Sequence, residues 1–317
     1  MNCDACQGHG DHRLVEAREM MFGLRHRFTY QECADCGHVQ LVDVPADLAR
    51  YYPSDYYSLG PAAPAGTAPG LLRRWGSDLL LRLPARILDM PGQPEPLGSL
   101  RSLCRLGLST RSRLCDVGSG GGQLLVGLWR LGFRDLVGLD PHVEAEREVA
   151  PSVWVRKAPV EAIQGSYDAI LLNHSLEHMG SPAIVLARLR RHVRARGAII
   201  VSLPLAGTLA WRRYGADWVG LDAPRHLFVP TERSMHLLAE RAGLRVERII
   251  HDSHALQFWG SEQYRRDIPL HDKRSWAKSP ERSPFSRRDV LRWHQHALRL
   301  NAAGCGDSAR FVLRRAA

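Results

Sequence analysis

At 317 residues, 44% of them hydrophobic, the chain is long enough to bury one large core with a small appended module. No apolar run approaches the roughly 20 residues that span a bilayer. The opening Met1-Asn2-Cys3-Asp4 does not read as a signal peptide, so a membrane protein is excluded and a cytoplasmic location is expected. The formal charge of +10, carried mostly by arginine, favours an anionic partner such as a nucleotide-sugar, a phosphorylated lipid carrier or nucleic acid.

The first signal in chain order is a pair of CxxC knuckles, Cys3-Asp4-Ala5-Cys6 and Cys33-Ala34-Asp35-Cys36, separated by 26 residues. Two thiolate pairs at that spacing suit a closed tetrahedral zinc site, and four thiolates leave no open position for chemistry, so the zinc is structural. Phe28 to Leu41 alternates like a short hairpin around the second knuckle, and Gly37 fits its tight turn. His9 and His12 read as solvated loop residues, while Cys104, Cys115 and Cys305 are isolated and inert.

A short helix is expected from Asp43 to Leu48, followed by four tyrosines in seven residues at 51, 52, 56 and 57. These either pack the knuckle module or form a lid whose aromatic faces suit a sulfonium cation. Residues 60–70 are a Pro/Gly/Ala linker, 71–83 a helix ended by Pro84, and Pro91, Pro94 and Pro96 mark an exposed stretch.

Residues 113–140 read as strand, glycine loop, helix and strand: Asp116-Val117-Gly118-Ser119-Gly120-Gly121-Gly122, then Gly138-Leu139-Asp140. Asp140 lies 22 residues beyond Gly118, where its carboxylate can accept both hydroxyls of a ribose. A dinucleotide fingerprint wants a third small residue where Gln123 stands, and carries no acid at the position of Asp116. S-adenosylmethionine has no diphosphate but bears an ammonium and a sulfonium, which a carboxylate beside the loop suits.

Beyond the loop, 167–173 is a buried strand running into Asn173, His174 and the Glu177–His178 pair. Ser181 and Pro182 start a helix whose apolar face is Ile184, Leu186, Leu189 and Val193, ended by Arg196-Gly197. A buried strand covers 198–204. Thr231 caps a helix through Ala242, 244–250 alternates as a strand, 251–307 is a helical excursion, and 309–314 is a last strand. Ligands of open α/β sheets bind at the carboxyl ends of strands, which makes His174 and His226 the candidate bases. Arg225 is read as a holder of an anionic substrate group, and Trp211, Tyr214 and Trp218 as an acceptor wall.

DVGSGGG at 116–122, GLDP at 138–141, YDAILLNHSLEH at 167–178 and RARGAIIVSLP at 194–204 together resemble the class I S-adenosylmethionine-dependent methyltransferases over roughly 113–317. The last motif has Ala195-Arg196-Gly197 where the family usually has lysine-proline-glycine. The resemblance implies an α/β, Rossmann-like seven-stranded sheet. It also implies cofactor contacts from Asp116, Gly118, Gly120 and Gly122, ribose binding by Asp140, adenine packing by Pro159 and Val160, and contact from Asn173. Glu177 and His178 read either as first-turn helix stabilisers or as a pair that resembles the metal-assisting glutamate–histidine of a related quinone-precursor methyltransferase group, which has another glutamate where His174 stands. The knuckles, the tyrosine run and Asp222-Ala223-Pro224-Arg225-His226-Leu227 resemble a bacterial subfamily that methylates sugars and glycans. The implied layout is a zinc ribbon at 1–45, a linker and helical lid at 46–110 and the cofactor-binding domain at 111–317. An RNA methyltransferase gripping RNA with its ribbon is the alternative enzyme, and a catalytically silent zinc-binding adaptor the alternative outside enzymes.

Overall fold

A computed structural model of the chain describes residues 2–53, 60, 62, 65–66, 70–82 and 97–316. Tyr56 and Tyr57, most of the 60–70 linker and the proline-marked stretch from Pro84 to Pro96 lie outside the described residues.

The central sheet has eight strands. In chain order they are β4 (Leu114–Val117), β5 (Leu136–Leu139), β6 (Arg147–Ala150), β7 (Val153–Arg156), β8 (Tyr167–Asn173), β9 (Val193–Pro204), β11 (Leu244–His251) and β12 (Ser308–Arg315). Their spatial order is β11-β12-β9-β8-β4-β5-β7-β6. Strands β7, β5, β4, β8 and β9 run parallel, and β12 inserts antiparallel between β9 and β11. The seven strands of the methyltransferase sheet are all there. The eighth, β6, is a short antiparallel addition beside β7 at one edge.

Alternation along the strands divides the core between two faces. Leu114, Ala169, Leu171, Ala198 and Ile200 pack with helices α1 (Leu71–Arg82), α2 (Leu97–Leu103) and α3 (Gln123–Arg130). Cys115, Val117, Ile170, Leu172, Ile199 and Val201 pack with α4 (Pro182–His192) and α6 (Glu232–Arg241). The inward residues of α4 are Val185, Leu186 and Leu189, while Ile184 is exposed. That helix ends at His192, earlier than the Arg196-Gly197 signal, because Val193 already pairs with Tyr167 as β9 begins.

The knuckle module is not a separate bead. Its strands β1 (Arg13–Arg18), β2 (Arg27–Glu32) and β3 (Val39–Leu41) form a sheet completed by β10 (Phe228–Val229), with Phe228 opposite Gln40 and Val229 opposite Val39. Helices α5 (Leu209–Tyr214), α7 (Leu256–Arg265) and α8 (Arg287–Ala302) share a third core with this sheet. The loop between β9 and α6 is thereby held by both sheets.

Candidate functional site

Parallel order places the carboxyl ends of β4, β5 and β8 side by side, and the glycine loop leaves the first of them. Gly118 has φ +74°, and a Cβ there would fall 2.4 Å from that of Ser175, so only glycine allows the close approach. Ser175 also donates from Oγ to the Val117 carbonyl at 2.7 Å, tying the end of β8 to the loop. Asp116 is buried at the end of β4.

Asp140 is buried just past β5, where Oδ2 accepts from the Gly120 amide and Oδ1 from the His142 amide, each at 2.8 Å. Each carboxylate oxygen keeps a further lone pair. A cleft of about 240 Å³ opens beside the loop, lined by Val117, Gly118, Leu139, Pro159, Val160 and Met179 among others. Its walls thus include three of the residues expected to contact the cofactor. Asn173 ends β8 with a buried Oδ1 that has no partner among the described residues. A cleft lined by Gly118 and by the neighbours of Asp140, Leu139 and Pro141, fits S-adenosylmethionine.

The linker approaches the same loop. Gln123 donates from Nε2 to the Gly60 carbonyl at 2.9 Å, and a Cβ on Gly121 would fall 1.8 Å from that oxygen. Tyr51 and Tyr52 divide between the two readings of the tyrosine run. Tyr51 is buried against Phe28 and bonded to His26 Nδ1 at 2.9 Å, as core packing. Tyr52 reaches over the site, parallel to the His142 ring at 6.0 Å and with its hydroxyl 3.0 Å from His178 Nδ1.

Past β8 a second cluster forms around Glu177, which is completely buried. Its Oε1 lies 3.4 Å from His174 Nδ1 and 3.9 Å from His226 Nε2. Neither carboxylate oxygen accepts a hydrogen bond of good geometry among the described residues. Glu177 sits in a single helical turn (Leu176–His178) ahead of α4 and not in the first turn of α4 itself. Burial favours the neutral acid, but the neighbouring imidazoles, His174 first, outweigh it and hold the carboxyl below its usual range.

The two candidate bases differ. Burial, with His178 adding to it, pushes His226 down to about 4, so the ring is neutral near pH 7. Its Nδ1 lies 2.9 Å from the Gly220 carbonyl, which can only accept, so Nδ1 carries the proton and Nε2 offers its lone pair towards Glu177. His174 is about half exposed (45%) and backbone-strained at φ +53°, held by its amide's bond to Ser202 O. Burial opposes its charging, but the contact with Glu177 wins and raises its pKa. His178 donates from Nδ1 to Arg225 O at 2.9 Å and meets the His226 ring edge-on at 4.8 Å. One donor atom from each of Glu177, His178 and His226 lies within 4.8 Å of the others.

Two expectations are corrected. The Arg225 guanidinium is fully buried and spent on Asp222 (Nε, 2.9 Å), Glu19 (Nη2, 3.0 Å) and the Tyr51 carbonyl (Nη1, 3.2 Å). It braces the loop and is closed to an anionic substrate. The aromatic wall is likewise interior: Trp211 bonds Glu32, Trp218 bonds Asp307 and Tyr214 bonds Glu262, all within the third core. Pattern reading missed the braces because Glu19, Tyr30 and Tyr52 are remote in sequence from the loop they hold.

At the amino terminus, one sulfur from each of Cys3, Cys6, Cys33 and Cys36 lies within 4.8 Å of the others. Cys3 and Cys36 Sγ are 3.6 Å apart, and Cys6 and Cys33 Sγ 3.5 Å. Four thiolates at zinc–sulfur bonds of about 2.3 Å are about 3.8 Å apart around a tetrahedron, so the donor set fits zinc. The Gly8 amide points at Cys6 Sγ at 3.3 Å, and Gly37 turns at φ +70°. Cys104 and Cys115 are buried, whereas Cys305 is exposed.

This geometry agrees with the comparisons. The methyltransferase domain family matches residues 72–249, more than half the chain, and the chain belongs to it. It is a class I S-adenosylmethionine-dependent methyltransferase, an enzyme that takes the methyl group from that cofactor. No functionally curated protein matches the sequence. Among solved structures, the chain is similar to a mycolic acid cyclopropane synthase, CmaA1, complexed with SAH and CTAB, at 15% identity and a TM-score of 0.46, covering 78% of this chain and 99% of that one. A putative sarcosine dimethylglycine methyltransferase from Galdieria sulphuraria is similar at 16% identity and a TM-score of 0.44, covering 77% and 96%. No helix among the described residues is long and apolar enough to cross a membrane.

Proposed function

We propose that the enzyme methylates a small-molecule or glycan acceptor, a sugar or nucleotide-sugar, at the imidazole–carboxylate cluster. The observation that carries this reading is the convergence of His174, Glu177, His178, His226 and the Tyr52 hydroxyl beside the cofactor cleft. Such a lining of acceptors and donors suits a hydroxyl-bearing substrate. The bound cofactor supplies an electrophilic methyl group. Asp116, Gly118, Gly120, Gly122, Asp140, Pro159, Val160 and Asn173 hold it, and the acceptor is placed for in-line attack. His226 Nε2 takes the acceptor's proton. His226 and His174 are the residues of the chemistry, and the glycine loop with Asp140 those of cofactor binding.

In this reading Cys3, Cys6, Cys33 and Cys36 bind one structural zinc. Residues 1–45 form its ribbon, 46–110 the linker and lid, and 111–317 the catalytic domain. The burial of Cys3, Cys33 and Cys36 and the amide aimed at the half-buried Cys6 support a closed site over an RNA-gripping surface.

The test is methyl transfer from labelled cofactor to cell extract fractionated into RNA, protein, lipid and nucleotide-sugar pools. Label in the sugar or glycan pool is the expected result. Label confined to RNA, with steep salt dependence, would replace this reading.

A further inference from the structure

A base that is almost completely buried must pass its proton on before the next turnover. His226 is such a group, with its side chain only 11% exposed. The carboxylate it faces accepts no hydrogen bond of good geometry among the described residues. Glu177 Oε1 approaches His226 Nε2 at 3.9 Å and His174 Nδ1 at 3.4 Å. Its backbone carbonyl accepts from Leu227 N at 2.8 Å, which fixes this turn against the loop that carries His226. The His226 tautomer is set by Gly220, and His174 is held in a left-handed conformation with its ring opening to solvent.

We propose that Glu177 is a positioning residue at the centre of a proton exit path running from His226 through Glu177 to His174 and solvent. The proposal rests on the reading of His226 as the base. The acceptor oxygen forms its bond to the methyl carbon as the methyl–sulfur bond breaks, and that bond's electron pair stays on sulfur. The acceptor's proton moves to His226 Nε2, from there to Glu177 Oε1, and then to His174 Nδ1. His174 releases a proton from its other ring nitrogen to water, which resets His226 and Glu177 and leaves His174 as its Nδ1–H tautomer. Proton exchange of the half-exposed ring with water restores the Nε2–H form before the next turnover. The contacts of 3.9 and 3.4 Å shorten to hydrogen-bond length when the acceptor is seated, as catalytic contacts do on loading. The two ends of the path differ in the direction of flow: burial lowers the proton affinity of His226 to about 4, and the contact with Glu177 raises that of His174. Glu177, held below its usual range, passes the proton without keeping it.

The experiment uses full-length protein with and without the demethylated cofactor product. Imidazole titrations are followed by NMR in wild type, Glu177→Gln and Glu177→Asp, and methyl transfer is measured into whichever extract pool accepts label. Glu177→Gln should lower the His174 pKa by about one unit, a roughly tenfold change in proton affinity, with product affinity within about twofold. Turnover should fall about a hundredfold with KM little changed, and Glu177→Asp should recover part of it. His174→Gln should lose turnover that added imidazole restores. An unshifted His174 titration in a folded Glu177→Gln protein overturns the relay, as does a second divalent ion retained by wild type and lost from that variant. Label in RNA with the variant effects intact sinks only the acceptor class. Label in sugars with Glu177→Gln fully active sinks only the relay.

Discussion

Asp140 shapes the glycine loop, and in the proposed reading it holds the cofactor's ribose as well. Its two oxygens already hold the amides of Gly120 and His142, so the carboxylate shapes the glycine loop before any ribose arrives. Asp140→Ala removes the acceptors for two ribose hydroxyls and loosens that brace, which should cost about 1–3 kcal/mol of cofactor affinity. Calorimetry with S-adenosylmethionine reads this directly, and unchanged affinity would remove Asp140 from the ribose. His226 turns its Nε2 towards Glu177, on the side proposed for the acceptor. His226→Asn should lower turnover at least about a hundredfold and leave cofactor affinity nearly intact. Near-normal turnover would move the base assignment to His174. Lost cofactor affinity would mean that the loop closes on the nucleotide instead.

At the scale of elements, the knuckle module and the catalytic loop stand or fall together. Strand β3 pairs with β10, Leu41 N donates to Leu227 O, Tyr30 Oη donates to His226 O, and Arg225 meets Glu19. The knuckle itself leans on α6, where Thr231 Oγ1 donates to Cys36 O at 2.7 Å. Chelating zinc should therefore disorder residues 1–45 and the 222–229 loop together, while the cleft built on β4, β5 and β8 keeps its cofactor. Hydrogen exchange after chelation checks this: protection lost at 2–41 but retained at 222–229 would contradict it. The coupling also shows what the sequence could reveal. The glycine loop, Asp140 and the knuckles were legible because each places its chemistry within a few residues of a strand end or turn. Tyr30 and His226 are 196 positions apart and Glu19 and Arg225 206, and no local period announces such pairs. Trp218 and Arg225 looked like a binding surface because polar tips on large side chains read alike whether buried partners or a ligand satisfy them. The edge strand β6 lacks a signal because its four residues, Arg147-Glu148-Val149-Ala150, are too few to show the apolar alternation of a half-buried strand.

Across the whole molecule, Asp307 joins the central sheet to the third core. Its carbonyl accepts from Leu205 N at the end of β9, and its Oδ2 accepts from Trp218 Nε1 at 2.9 Å. Burial is the dominant influence on its carboxyl and pushes the pKa up to about 6, against partial relief from Ser253 and Trp218. The sign of the linkage follows from proton counts. Between the ordinary carboxyl value of 3.8 and about 6 the folded protein binds more protons at this site than the unfolded chain does. Its contribution is therefore most favourable in acid and declines as pH rises through that window, reaching a penalty of about 3 kcal/mol near pH 7. Asp307→Asn keeps an oxygen for Trp218 and cannot ionise. It should raise the thermal midpoint at pH 7, and the gain should shrink steadily towards pH 4, where the wild-type group is largely protonated in the fold. Melting curves of both proteins at pH 7, 6, 5 and 4 test this. A midpoint difference that stays constant over the series would show that the substitution acts through packing and that Asp307 carries no buried charge at neutral pH.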